Sequence, residues 1–534
     1  MPHFDRLTNL ALSNGTRVTF FSAPVIVCAG GTRISADSAV VYEASNYTQL
    51  FRNVVFQDAD SRLTADRANY FEEENRLRAW GDVVLNDLAQ GSVIRGDTMV
   101  LLRAGPDGEE DRLTVTGRRP QAMLYPTRQA APLAEEPPSD SAGAEVSMPD
   151  SAEVEIPMPD SAEVEIPVPD SAGVSPGPQV PLEDRVPWDI DANRIFLEGS
   201  RYFRATGDVN IHRESVDAVG DSVEYDGQAG SLFLARNARL TTSGFDLSAR
   251  DIRMDIPQDE IRGIEARHES FLEGEDLQLL APTIVMFLTE GELDRLVARR
   301  DPVLDSLPEE ALAERQPHEG ARNLGFPLFP IRPHAFAQDF LLWGDSIEVA
   351  APGEKLEEVK AMGQARGESL GRDSLNTEET SPLVRRDWLE GDTIIAFFSQ
   401  VEAASGSESE REDVPDPDPE VQRPPAVERR EASEASTDST DYRLECLIAS
   451  GNARSLYRMA PSDSTMAEEE DRLAIHYVMG EEITIFMEGG EVDHMEVKGE
   501  TRGIHLEPVK PPGRGGGVEP DTTRAAGPPW GRHP

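Results

Sequence analysis

The sequence predicts an all-β protein built from repeated short antiparallel strands. Three observations support this prediction: a recurring phrase A-x-G-[DNQ]-[AV], a second recurring phrase in which an acid precedes alternating apolar residues, and a near absence of helical spacing. Because both phrases return along most of the chain, they indicate one small structural unit that is used many times.

The first phrase places a glycine between small or apolar residues. It occurs at residues 79–83, 205–209, 361–365 and 449–453. Glycine reaches positive φ angles without a steric penalty, so it suits turns and bulges between strands. In a related stretch, Asn237 stands where this pattern predicts glycine. We therefore expect a turn or bulge at each copy.

The second phrase begins with a small residue and an acid, at residues 36, 65, 96, 220, 344 and 480. After each acid, apolar side chains occupy every second position, which places them on one face of a strand. Residues such as Asn69 and Glu224 then point to the opposite face. Each unit is thus predicted to have one apolar face.

One acid recurs at the same place in most repeats, and it invites a catalytic interpretation. Catalytic carboxylates come as a pair in a cleft, whereas aspartate at the start of a strand commonly bonds backbone amides. We therefore predict a structural role at strand starts for all members of this set, which are Asp37, Asp66, Asp97, Asp221, Asp345 and Asp392.

Composition argues against several classes of partner. The net charge of −48 and the hydrophobic fraction of 38% disfavour binding to nucleic acid or to an anionic membrane surface. No stretch reaches the roughly 18 apolar residues that a membrane-spanning helix needs. The N-terminal region shows no basic segment followed by an uninterrupted apolar core, so it has no recognisable signal peptide, and residues 17–21 and 25–28 are predicted to be strands.

Shifts in composition divide the chain into β modules and linkers. A decapeptide repeat between residues 136 and 181 combines frequent proline with like charges, which cannot build a core. In the proline-rich connector, Phe326, Phe329 and Phe336 are expected to dock on a sheet. The predicted segments are a first β module at 1–128, a disordered linker at 129–186, a second β module at 187–300, the connector at 301–338, β repeats at 339–400, a disordered acidic linker at 401–440, C-terminal β repeats at 441–510 and a disordered tail at 511–534.

Residues suited to chemistry are few. Cys28 and Cys446 are the only cysteines, and two independent thiols are favoured over a disulfide between them. No histidine pair has the spacing of a metal site, and no nucleophile or phosphate-loop motif is present. We therefore expect no catalytic residues, no metal and no cofactor.

The pairing of an A-D-x-A-x-Y strand with an A-x-G-[DN]-V strand ten to fifteen residues later resembles the OstA-like, or LptA-like, family of lipopolysaccharide-transport domains, which includes the N-terminal domain of LptD. The best stretches are 31–85 and 202–254, with weaker similarity at 340–366 and 441–507. The resemblance implies a V-shaped β-jelly-roll of stacked antiparallel strands. It also implies a non-enzymatic protein of the periplasm or cell envelope.

The function implied by the resemblance is a scaffold or bridge that carries lipopolysaccharide or a related glycolipid to the outer membrane. Acyl chains would be shielded in an apolar β groove, and other envelope transport proteins would bind through edge strands. The predicted groove residues are Ala39, Val41, Ala68, Tyr70, Val83, Leu85, Val223, Tyr225, Ile347 and Val349.

Two alternatives remain open from the sequence. In the first, the same strands have a filled core, bind no lipid and join other envelope proteins end to end. In the second, the chain is a polysaccharide-active β-solenoid enzyme, which requires acidic and basic residues clustered on one outer face. The density of packing behind the apolar positions distinguishes the first alternative from the lipid hypothesis.

Overall fold

A computed structural model describes fourteen stretches of the chain. These are residues 4–11, 17–27, 31–104, 110–125, 186–257, 260–275, 277–305, 331–337, 339–371, 380–381, 384–400, 442–459, 473–488 and 491–508. The predicted linker at 401–440 and the predicted tail lie wholly outside them, as do Cys28, Phe326, Phe329 and the decapeptide repeat. The division into β modules and linkers stays a prediction.

The prediction of an all-β fold with stacked antiparallel strands is confirmed. Contacts divide the chain into two compact units. Unit 1 comprises residues 1–274 and 283–294, and unit 2 comprises residues 275–282 and 295–534. The described residues also include one short helix, α1 (Pro302–Asp305).

Strands β1 to β18 belong to unit 1. They are β1 (Arg6–Ala11), β2 (Arg17–Ser22), β3 (Val25–Val27), β4 (Arg33–Ser35), β5 (Ser38–Tyr42), β6 (Tyr47–Gln57), β7 (Ser61–Phe71), β8 (Arg76–Asp87), β9 (Val93–Leu102), β10 (Arg112–Thr116), β11 (Gln121–Leu124), β12 (Trp188–Asp191), β13 (Arg194–Glu198), β14 (Tyr202–Arg213), β15 (Val216–Asp226), β16 (Ser231–Thr241), β17 (Phe245–Asp255) and β18 (Gly263–Gly274).

The remaining strands lie partly or wholly in unit 2. The two units divide within β19 (Gln278–Thr289) and β20 (Glu292–Arg299). Unit 2 then holds β21 (His334–Ala337), β22 (Phe340–Trp343), β23 (Ser346–Ala350), β24 (Glu358–Ser369), β25 (Asp387–Gln400), β26 (Tyr442–Met459), β27 (Ala474–Glu488), β28 (Glu491–Lys498) and β29 (Arg502–Leu506).

Each glycine phrase forms a two-residue bulge in the middle of a long strand, which we call a corner. In β8, Gly81 and Asp82 have φ angles of 82° and 44°, and pairing with β9 shifts register between Trp80 and Val83. The same geometry recurs in β14, β24 and β26. Positive φ at two successive residues bends a strand, and glycine at the first of them avoids the Cβ clash.

Further corners form without glycine, and the sequence analysis missed them. In β6 the corner is Arg52 and Asn53, and in β16 it is Arg236 and Asn237. The expectation about Asn237 is therefore wrong by one position, since Arg236 holds the place that glycine takes elsewhere. Asparagine tolerates positive φ better than most residues, which explains its presence at the second position.

The recurring acids lie opposite these corners. A Cβ added to Gly81 would lie 2.5 Å from Oδ2 of Asp66, and one added to Gly363 would lie 2.7 Å from Oδ2 of Asp345. The strand-start prediction is right for Asp37 and Asp345, which immediately precede strands. It is wrong for the acids that lie inside continuous strands, because one long strand bends there instead of ending: Asp66, Asp97, Asp221 and Asp392.

Corners separate each unit into two arms. In unit 1, β9 pairs with β11 through residues 93–95 and with β10 through residues 98–102. We call the side that carries β11 and β12 arm A, and the side that carries β10 and β13 arm B. In unit 2, β24 pairs with β22 through residues 366–369 and with β23 through residues 358–362. We call the side that carries β22 arm C, and the side that carries β23 arm D.

The side chains that flank the corners are small and buried. Ala79 and Val83 flank the β8 corner and are 0% and 1% exposed, and Ala361 and Ala365 flank the β24 corner with the same values. Small side chains at these positions let two arms meet closely.

Candidate functional site

A cavity of about 510 Å³ lies in unit 1, between the ends of arm A and arm B. One wall is a row of apolar side chains that face one another across neighbouring strands of arm B. The register pairs Leu101 with Leu113, Leu113 with Leu197, Leu197 with Phe203, and Phe203 with Tyr225. Five strands at about 4.8 Å spacing give this wall a length of about 19 Å.

The opposite wall comes from arm A. It includes Leu85, Ile94, Leu124 and Trp188. Trp188 is 1% exposed and packs between the guanidinium of Arg213, 4.5 Å from the ring centroid, and the ring of Tyr225. Its indole nitrogen has no acceptor among the described residues. The two walls together form a slot that is apolar along its length.

An ion pair crosses the mouth of this cavity. Asp58 follows β6 at the end of arm A, Arg103 follows β9 at the end of arm B, and Nη2 of Arg103 lies 2.7 Å from Oδ2 of Asp58. Burial alone raises the pKa of Asp58, but hydrogen bonds from Arg103 and Ser61 outweigh it and hold that pKa below its usual value. The pair therefore links the ends of the two arms.

Further polar residues surround the same mouth. Asp60, Asp87, Asp111 and Arg201 line it, and Arg201 pairs with Glu110. In the described part of the cavity lining, Arg103 and Arg201 are the only basic side chains. The mouth is therefore charged although the slot behind it is apolar.

Unit 2 holds a smaller cavity of about 300 Å³, again between arm ends. Phe340, Trp388 and Leu389 contribute from arm C, and Leu447 and Ile485 contribute from arm D. The same two-armed arrangement of strands thus encloses open space in both units. The two cavities differ in the polar groups that they contain.

A buried ion pair lies beside the unit 2 cavity. Oδ1 of Asp387 accepts hydrogen bonds from the backbone nitrogen and Nε of Arg458, both at 2.9 Å. The two side chains are 9% and 3% exposed. Asp387 also lines the cavity, so the pair forms a buried part of its wall and is held in place by its own hydrogen bonds.

The predicted groove residues fall into three groups. Leu85 and Tyr225 lie in the lining of the unit 1 cavity. Within the described structure, five more are buried at 0 to 1% exposure and are absent from the lining of either cavity: Ala39, Ala68, Val223, Ile347 and Val349. Val83 is also buried beside its corner, whereas Val41 and Tyr70 are half-buried.

Several residues of the slot were not predicted from sequence. Leu101, Leu113, Leu197 and Phe203 form most of its longest wall. Leu101 belongs to the predicted alternation that follows Asp97, so the signal was present. Trp188 gave no such signal, because it enters the cavity through pairing of β12 with β11 across a long stretch of chain.

Other chemical features are limited. No group of three or more His, Cys, Asp or Glu side chains that could hold a metal occurs among the residues the structure describes. Cys446 is a free thiol whose pKa is raised by burial and by Glu445, and Cys28 lies outside the described residues. No helix in the described ranges is long and apolar enough to cross a membrane.

Comparisons with known proteins give little to set beside this geometry. No protein-family model matches the chain, and no curated protein matches it. Among solved structures, the chain is similar to LptH from Pseudomonas aeruginosa, described as the LptA-homologous periplasmic component of the lipopolysaccharide transport device. The identity is 11%, the match covers 44% of this chain and 82% of LptH, and the TM-score is 0.12. The fold class therefore stands on the strands and corners of the chain itself.

Proposed function

We propose that this protein is a non-enzymatic lipid-binding scaffold of the cell envelope, which holds the acyl chains of a glycolipid in the slot of unit 1. The observation that carries the proposal is the 510 Å³ apolar cavity between the arms. Its volume lies within the usual range of ligand pockets, and its lining is predominantly apolar, as in sites for hydrophobic ligands.

The energetics favour an acyl chain as the occupant. Each methylene that leaves water contributes about 0.8 kcal/mol. The row from Leu101 to Tyr225 follows the cavity across five strands, so an extended chain would contact every strand in turn. Such binding needs no covalent step, and no residue of the slot is assigned a catalytic role.

The finer proposal is a periplasmic role in the transport of lipopolysaccharide or a related acylated glycolipid. Its support is the recurring strand phrases and the apolar slot. The packed corners beside Ala79 and Ala361 argue for a rigid scaffold, because fully buried small side chains leave little room for the arms to move at the bend.

Mass spectrometry of lipids extracted from the purified protein tests this proposal. The protein would be expressed with an added signal sequence in a Gram-negative host. The wild type is expected to carry near-stoichiometric acylated lipid, and Leu101→Trp, which fills the slot, is expected to carry little. Val100→Trp is the matched control, since Val100 lies on the opposite face of β9.

Two outcomes would contradict the proposal. Lipid-free wild-type protein would favour the bridge described next. Equal lipid content in Leu101→Trp and Val100→Trp would place any bound lipid outside the slot. Ala68→Trp separates packing from binding, because Ala68 is 0% exposed and overpacking there is expected to cost about 1–3 kcal/mol of stability.

A second candidate function is a structural bridge that joins envelope proteins through strand edges. All six residues of β1 are exposed, including Leu7 and Leu10 at 42% and 53%, and the described residues pair β1 with β2 alone. An exposed apolar edge strand is a template for pairing with another chain.

Multi-angle light scattering tests this candidate. It should show assembly that Leu10→Lys abolishes and that Leu88→Lys, at an exposed turn, leaves intact. A constant monomer mass would remove this candidate.

A further inference from the structure

The mouth of the unit 1 cavity is negatively charged. Among the described residues, four aspartates and two arginines line the cavity, so this part of the lining carries a net charge of −2. Acidic and basic residues both lie at the ends of the arms, where a ligand would enter. They are Asp58, Asp60, Asp87, Asp111, Arg103 and Arg201.

Both basic side chains are already engaged. Arg103 pairs with Asp58 at 2.7 Å across the mouth, and Arg201 pairs with Glu110. A carboxylate already neutralises each guanidinium, so an anionic head group that bound the remaining N–H donors would gain little net attraction.

Backbone donors hold three of the carboxylates in place. Asp58 accepts from the Ser61 nitrogen at 2.6 Å, Asp87 accepts from the Gln90 nitrogen at 2.8 Å, and Asp111 accepts from the Ala104 nitrogen at 2.6 Å. An ionised carboxylate can accept about four hydrogen bonds, and Asp58 already accepts four. Asp87 and Asp111 accept two and one among the described residues, so these two carboxylates keep unused lone pairs. Hydroxyl groups of a polyol or sugar can donate to those lone pairs, whereas phosphate oxygens cannot.

Resting on the proposed acyl-binding function, we infer that the unit 1 slot selects acyl compounds whose head group is uncharged and bears hydroxyl groups, and that its acidic mouth disfavours phosphate and carboxylate heads. Of the cargoes proposed above, this favours a related neutral glycolipid over phosphorylated lipopolysaccharide. The hydrophobic slot holds the chain regardless of the head. Among acyl compounds of equal chain length, the mouth then selects by head group, because it repels anions and accepts hydrogen bonds from hydroxyl groups.

Matched ligands with the same twelve-carbon chain test this inference. Binding of monolauroylglycerol and of dodecyl phosphate to the full chain would be measured by titration calorimetry below their micelle concentrations at low ionic strength, where surface charges are least screened. Monolauroylglycerol is expected to bind at least tenfold more tightly. Equal or tighter binding of dodecyl phosphate would overturn the inference.

Charge-reversal variants locate the effect. Asp60 is exposed at the mouth, so Asp60→Lys is expected to strengthen binding of dodecyl phosphate several-fold with little change for monolauroylglycerol. Asp255→Lys makes the same change of charge at the exposed end of β17, outside the cavity lining, and is expected to alter neither affinity. Equal effects of both variants on dodecyl phosphate would overturn an origin in the mouth.

Failure of the inference can be told from failure of the proposed function. If neither ligand binds, or if Leu101→Trp leaves both affinities unchanged, the slot is not an acyl site and the proposed function fails. If Leu101→Trp weakens both ligands and dodecyl phosphate binds as tightly as monolauroylglycerol, the slot binds acyl chains and only the head-group inference fails.

Discussion

Units 1 and 2 share one architecture but fill it differently. Both are built from bent strands whose packed corners hold two arms together, and both enclose space near the arm ends. In unit 1 the cavity is about 510 Å³, and an ion pair with side chains 37% and 21% exposed crosses its mouth. In unit 2 the cavity is about 300 Å³, and the neighbouring ion pair is buried.

The difference shows that the repeated strand phrase determines the frame, by which we mean the two-armed arrangement of bent strands. It does not determine the size or the lining of the cavity between the arms. A solvent-facing ion pair contributes little to stability but can govern which molecules enter. A buried pair is coupled to stability, because loss of one partner leaves an uncompensated charge. We therefore expect unit 1 to be the binding unit, and we expect the Asp387–Arg458 pair to be part of the packing of unit 2.

Removing one partner from each ion pair should give the largest contrast. Arg458→Met is expected to lower the free energy of unfolding by about 3–5 kcal/mol, because Asp387 is left buried without the guanidinium that neutralises its charge. Arg103→Met is expected to cost less than about 1 kcal/mol, because its pair faces solvent. Urea denaturation of the full chain measures both, and similar costs would remove the proposed distinction between the units.

Variants of Trp188 test how much the stability of unit 1 depends on the arm A wall of its slot. Trp188→Ala is expected to cost about 3 kcal/mol, since it deletes a buried aromatic ring. Trp188→Phe is expected to cost far less, because the indole N–H makes no hydrogen bond among the described residues and the phenyl ring keeps part of the stacking. Thermal unfolding provides the comparison, and equal losses for both variants would mean that the indole nitrogen has a partner.

Corner glycines should behave alike in both units. Gly81→Ala and Gly363→Ala each place a Cβ against an aspartate carboxylate at a φ angle above 80°. Each is expected to cost about 1–2 kcal/mol. Arg236→Gly, at a corner that already lacks glycine, is expected to be near neutral or stabilising. A large difference between Gly81→Ala and Gly363→Ala in chemical denaturation would show that the two frames are not equivalent.

Mild acid should weaken unit 2 through His334. Burial lowers the pKa of His334, although its hydrogen bond to the Arg332 carbonyl opposes the shift. The unfolded chain therefore binds the proton more readily, so stability is complete above the ordinary histidine pKa near 6.5 and falls as the pH drops below it. The slope is expected to stay below about 1.4 kcal/mol per pH unit.

A single variant isolates this contribution. His334→Phe keeps a ring against Trp343, whose centroid lies 5.7 Å from that of His334, and removes the titrating group. Stability of the variant between pH 7 and pH 5 should change less than that of the wild type. An identical pH dependence in both proteins would assign the titration to another residue.

The sequence by itself determined the frame, because the frame depends on local backbone chemistry. A bend with two successive positive φ angles favours glycine at its first residue, so Gly81, Gly207, Gly363 and Gly451 indicated their corners in the sequence. Alternation of apolar residues predicted the buried faces, and residues such as Val223 and Ile347 are buried as that pattern predicts. Corners with arginine in the first position, such as Arg52 and Arg236, gave no such signal.

Only the tertiary structure decided where space remains inside the frame. Alternation identifies which side chains face inward, but it does not distinguish a position beside a packed corner, such as Ala68, from one beside the slot, such as Leu101. That difference depends on which strands pair across the chain. The pairing of Leu113 with Leu197 and the contact of Asp58 with Arg103 join residues far apart in sequence, and such contacts leave no local pattern to read.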